Sequence, residues 1–109
     1  MQKPQGSILK YLIAATIAIL SSTSVYAAGD AAAGKTKAAT CVACHGADGK
    51  ATIVTYPSLA GQNIEYMVEQ LKAFQSGERK GASSAIMAPM AASLSEQDMM
   101  DIAAYFNSL

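Results

Sequence analysis

Two cysteines three positions apart, Cys41 and Cys44, are followed at once by His45, the single histidine of the chain. No other feature restricts this sequence so far. Residues three apart on one helical turn share a face, so both thiols can meet one edge of a planar ligand while the next side chain presents an imidazole to it. Cys-x-x-Cys-His is the spacing used for covalent attachment of a c-type haem. Three other chemistries use the same residue types. A redox dithiol needs a strand before it and a helix opening at its first cysteine, whereas a helical stretch rich in Ala, Gly and Lys precedes Cys41. A structural zinc ion takes four ligands, and two cysteines with one histidine leave it one short. A disulfide across two residues is strained and closes little of the chain. Haem attachment is the expectation the motif carries.

The N-terminal segment reads as a secretory leader. Lys3 and Lys10 give a basic start, Tyr11 to Leu20 form an apolar run too short to span a bilayer, and Val25-Tyr26-Ala27 supplies the small residues of a cleavage site. A cut after Ala27 leaves 82 of the 109 residues as one domain, residues 28–109; retention of the leader as an anchor is the alternative. So short a chain buries only about 60–65% of its surface and needs a staple or a cofactor. Covalent haem would serve as both, and an exported location would keep the two thiols from standing free in an oxidising compartment. Six basic side chains face eight acidic ones in residues 28–109, a balance that points neither to nucleic acid nor to an anionic membrane surface.

Along the mature chain the pattern is helical. Asp30 is placed to cap a first helix that runs through Ala31-Ala32-Ala33 to the haem motif, and Gly34 in its interior asks for the close approach of another helix. Gly46 and Gly49 open a turn. Ala51 to Thr55 is β-branched but has no partner strand, so it reads as loop. Pro57 has a free carbonyl, the kind of acceptor a ligating histidine needs on its second ring nitrogen. Asn63 caps a second helix with the apolar stripe Ile64, Met67, Val68, Leu71 and Phe74, ended by Gly77. Arg79 and Lys80 read as a solvated pair, with a haem carboxylate as the other possible partner. Pro89 should hold Ala88 extended, so that the segment from Ala85 to Met90 lies across a flat cofactor and offers it a soft thioether. Ser95 with Asp98 makes a near capping box for the last helix, whose stripe is Met99, Ile102, Ala103, Phe106 and Leu109.

These residues together resemble the class I cytochromes c, and within them one half of the tandem dihaem cytochrome c4. The likeness runs over residues 28–109: Ala28-Gly29-Asp30, Cys41 to Gly49, Tyr56-Pro57-Ser58-Leu59-Ala60-Gly61-Gln62, Phe74 to Arg79, and Leu94 to Phe106. It implies an all-α fold of three main helices around one haem, with thioethers to Cys41 and Cys44 and His45 as axial ligand. It further implies a bond from the His45 ring to the Pro57 carbonyl, Leu59 packed on the haem, and a crossing of the first and last helices. For the second axial ligand it favours Met87, eight positions before Ser95, over its rival Met90. Two features depart from the family: Ala38 stands where many relatives carry an aromatic residue, and the second haem domain of the tandem proteins has no counterpart before Leu109. The surface that would face such a domain is free to make a homodimer.

The expected function is one-electron transport in the periplasm, without enzymatic chemistry, because two axial side chains leave the iron no open position. A membrane cytochrome complex would be the donor and a terminal oxidase or reductase the acceptor. A gas-sensing haem protein with a displaceable methionine is the alternative.

Overall fold

The computed structural model describes residues 28–109. The expected leader, residues 1–27, lies outside the described residues. Five helices follow one another: α1 (Ala31–Lys37), α2 (Val42–His45), α3 (Ile64–Ser76), α4 (Ser84–Ala91) and α5 (Glu96–Asn107). A 3₁₀ turn, Ala38–Thr40, joins α1 to α2. Among the described residues there is no strand, and 51–55 is loop. The all-α expectation holds, with α1, α3 and α5 as the main helices.

The ends of these helices are set by side chains that replace missing backbone partners. The Asp30 carboxylate accepts the N–H groups of Ala32 and Ala33, and Asn63 accepts that of Tyr66. At α5 the box is reciprocal: Ser95 Oγ accepts from the Asp98 N–H at 3.0 Å, and the Asp98 carboxylate accepts from the Ser95 N–H at 2.9 Å. Aspartate therefore does the work usually given to Glu or Gln.

α1 crosses α5 at the glycine that asked for a neighbour. A Cβ on Gly34 would lie 1.9 Å from the Asp101 carbonyl oxygen and 2.9 Å from Tyr105 Cβ, so only hydrogen fits between the two backbones. Around this crossing Ala38, Met67, Ile102, Ala103, Tyr105 and Phe106 form one buried cluster. Ala38, where an aromatic residue would be commoner in the family, is fully buried in it.

Three expectations need correction. The helix from Ala31 does not run unbroken to the haem motif. It tightens into the 3₁₀ turn, whose longer rise per residue re-aims the motif that follows. The segment around Pro89 is not extended, for Ser84–Ala91 is helix with Pro89 inside it. Interior proline costs roughly 3 kcal/mol in a helix, but α4 is held from outside. Ala91 is fully buried, and the Gln75 side chain on α3 donates to the carbonyls of Ala91 (2.9 Å) and Leu94 (2.8 Å). Docking thus overrides the local preference of Ala88. Leu109, finally, lies beyond α5 and is exposed, so the α5 stripe ends at Phe106, while Ala104 and Tyr105 join the buried face.

Candidate functional site

A cavity of about 480 Å³ opens between α2, α3, α4 and α5. That is within the range of small-molecule and cofactor sites. Its wall is largely apolar, with Leu59, Met67, Leu71, Phe74, Ile102 and Phe106 among the hydrophobic side chains that line it. Cys41, Cys44 and His45 line it from α2 and the turn before it, Pro57 from the following loop, and Met87 and Met90 from α4. The thiols, the imidazole, Pro57, Leu59 and both candidate methionines therefore meet at one place.

His45 is 7% exposed, and its Nδ1 lies 2.7 Å from the Pro57 carbonyl oxygen. A carbonyl only accepts, so Nδ1 carries the proton and Nε2 keeps its lone pair for a metal. The loop that delivers Pro57 is itself pinned. The Gly49 carbonyl accepts from the Leu59 N–H at 2.7 Å and the Ala60 N–H at 3.0 Å. Gly49 has φ +74°, and a Cβ there would sit 2.9 Å from the Ala60 nitrogen, so this closure requires glycine. From the other side, the Tyr105 hydroxyl donates to the Ala47 carbonyl at 3.3 Å, and the Gly61 N–H donates to the Phe106 carbonyl at 2.9 Å. The last helix thereby holds both ends of the histidine loop.

Both cysteines are free and half-buried. Burial pushes the Cys41 thiol above its ordinary range; a hydrogen bond with Thr40 works against that, and the neighbouring Cys44 adds to it. A redox dithiol needs the opposite, a thiol held low enough to be thiolate. Among the described residues no three His, Cys, Asp or Glu side chains are grouped as metal ligands. Apolar walls, two adjacent thiols and an imidazole with a fixed tautomer together fit a haem bound through its edge.

Residues 31–109 match the cytochrome c family. The chain belongs to that family. It is 53% identical to cytochrome c-554(548) of Halomonas halodenitrificans over 81 residues, which are 74% of this chain and 98% of that protein. It is 42% identical to cytochrome c4 of Pseudomonas aeruginosa over 99 residues, 91% of this chain but 48% of the relative. Among solved structures it resembles reduced recombinant cytochrome c4 from Pseudomonas stutzeri, with TM-score 0.66 and 43% identity over 74% of this chain and 46% of the other. The chain thus spans nearly all of the first relative and about half of the cytochrome c4 chains. Members of the family carry haem c, and Cys41 and Cys44 fit its attachment motif; the protein is a cytochrome c electron carrier.

Some residues around the site were not legible beforehand. Asp101 counts in the sequence as one more surface acid, yet it is 3% exposed. It accepts from the Asp30 N–H (2.8 Å), Gln97 Nε2 (2.9 Å) and Lys37 Nζ (2.6 Å). The Lys37 ammonium, with the Asp30 N–H and Gln97, holds its carboxyl at about 2. The available signal was its place inside the apolar run from Met99 to Phe106. Arg79 lines the cavity, whereas Lys80 does not.

Proposed function

We propose that residues 28–109 are the mature domain of an exported, periplasmic monohaem cytochrome in which His45 and Met87 fill the two axial positions. The observation that supports this reading is the 2.7 Å contact of His45 Nδ1 with the Pro57 carbonyl, since it leaves Nε2 with a lone pair available to a metal. Met87 is favoured over Met90 because it is half-buried on the cavity wall, whereas Met90, three residues on, is 42% exposed. Residues 1–27 are read as the leader that directs export.

Haem c, when bound, supplies the one-electron couple. The chain contributes the rest. Pro57 fixes the tautomer and plane of His45. Leu59, Phe74, Ile102 and Phe106 exclude water and lower the dielectric around the iron. A neutral thioether from Met87 favours the ferrous state relative to a second imidazole. Held by His45 and Met87, the haem would have no position open to a substrate and would supply outer-sphere one-electron transfer. The donor is a membrane cytochrome complex, the acceptor a terminal oxidase or reductase, and a homodimer would cover the face that a second haem domain covers in the tandem relatives.

The test is an optical spectrum of the purified mature protein with its Met87→Ala and Met90→Ala variants. The wild type should keep its haem in acidified solvent and show the long-wavelength sulfur-to-iron band when oxidised. Met87→Ala should lose the band and Met90→Ala should keep it. The reverse pattern makes Met90 the ligand. Rapid, complete carbon monoxide binding by the reduced wild type at neutral pH would favour a gas-binding protein instead.

A further inference from the structure

α4 brings both candidate methionines to the cavity wall, yet little inside it fixes its place there. Ser83 precedes it without capping it through the side chain. Pro89 has no N–H, so the Ala85 carbonyl one turn earlier loses its helical donor. Ser84 Oγ ties the N-terminal end only to the loop before it, at the Arg79 carbonyl (2.8 Å). Ile86 and Met90 are exposed, and Ala91 is the buried residue of the helix.

The firm tie comes from α3. Gln75 is exposed, and its amide nitrogen has two hydrogens. Both are used beyond Met87: Nε2 donates to the Ala91 carbonyl at 2.9 Å and to the Leu94 carbonyl at 2.8 Å, with the Ala92 carbonyl at 3.4 Å. These are the carbonyls that a helix end leaves without internal donors. Among the described residues no other side chain from outside α4 hydrogen-bonds to the stretch from Ser84 to Leu94. Ala91 stands four positions after Met87, one turn along the same face. Gln75 itself does not line the cavity, so it reaches the cofactor's surroundings only through α4.

We infer that Gln75 is a positioning residue for the axial thioether: by clamping the C-terminal carbonyls of α4 from α3, it sets how readily the methionine leaves the iron. The inference rests on the reading that a methionine of α4 is an axial ligand, and it holds for Met87 and Met90 alike, since both ride on the clamped helix. An outside ligand binds only molecules whose axial position has opened, so its apparent affinity is scaled by the open fraction. A weaker clamp raises that fraction and moves a closed electron carrier toward a ligand-binding haem protein.

Imidazole titration of the haem-loaded ferric protein, followed at the sulfur-to-iron band, tests it. Imidazole bonds to the iron as the thioether departs, with no change of oxidation state. Gln75→Ala and Gln75→Glu, which have no amide donor, should each bind imidazole about fivefold more tightly than the wild type. Gln75→Lys places an ammonium donor beside the same helix-end carbonyls and should return the affinity to within about twofold of wild type. Lys72→Ala removes another exposed tie of α3, the ion pair with Glu96 at the start of α5, and should leave the affinity unchanged. A wild type that shows the band while Gln75→Ala and Gln75→Glu keep its imidazole affinity overturns the inference alone. So does an equal gain in Lys72→Ala, which would mark a general loosening of α3. A wild type without the band refutes the methionine reading and the inference with it.

Discussion

The α1–α5 crossing, which brings α5 to the cavity, and the α3–α4 pair, which walls it, are built in different ways. At the crossing, backbones touch at Gly34, a buried carboxylate is fully satisfied, and nearly every α5 residue from Met99 to Phe106 is buried. In the α3–α4 pair, α4 starts without a side-chain cap, carries Pro89 and exposes Ile86 and Met90. Its C-terminal end hangs on the exposed Gln75 side chain. The crossing is self-sufficient protein structure, whereas the methionine helix relies on a few polar ties and on the ligand beside it. Stability that depends on cofactor should accordingly sit in α4, and stability that does not should sit at the crossing.

The largest effect expected is from Gly34→Ala. Better helix propensity would give back about 1 kcal/mol, but the overlap with the Asp101 carbonyl forces the helices apart, for a net loss of about 3 kcal/mol in denaturant unfolding. A neutral or stabilising result would break the comparison outright. Asp101→Asn should cost about 2 kcal/mol through loss of the charged bond to Lys37. It should also change the acid response in a defined direction. The Asp101 carboxyl is held at about 2 in the fold against an ordinary 3.8, and Asp98 is also lowered, first by its bond to Lys37. A depressed carboxylate contributes its stability above the ordinary value and loses it as pH falls through the folded one. Wild-type stability should therefore decline between about pH 4 and pH 2, and Asp101→Asn should flatten that decline. The smallest effect belongs to Gln75→Ala, about 1 kcal/mol. It should nonetheless loosen α4 selectively, seen as faster amide exchange in Ser84–Ala91 with α1 and α5 unaffected.

The same contrast explains what could be read from the amino acids alone. Asp30, Asn63 and the Ser95–Asp98 box act on backbone groups within three residues, so their meaning survives folding unchanged. Gly34 was legible because a helix interior has no local use for glycine. Pro57 was legible only in part: a free carbonyl is common, and its value comes from His45 standing 2.7 Å away. The α4 helix was misread because the preference of a residue before proline is local, while Gln75 and the burial of Ala91 are not. Asp101 escaped for a related reason, since a charge in a sequence looks solvated until its neighbours are known.

The bond between His45 and Pro57 spans 12 positions, while Met87 stands 42 beyond the histidine. Closing a short loop is entropically easier than closing a long one, and it needs less of the polypeptide. The loop that holds His45 can thus close on a short stretch of chain, before α4 has packed across the cavity. An order of folding follows from chain length alone: the histidine wall of the cavity can form from local contacts, and the α4 wall has to wait for the long connection to close.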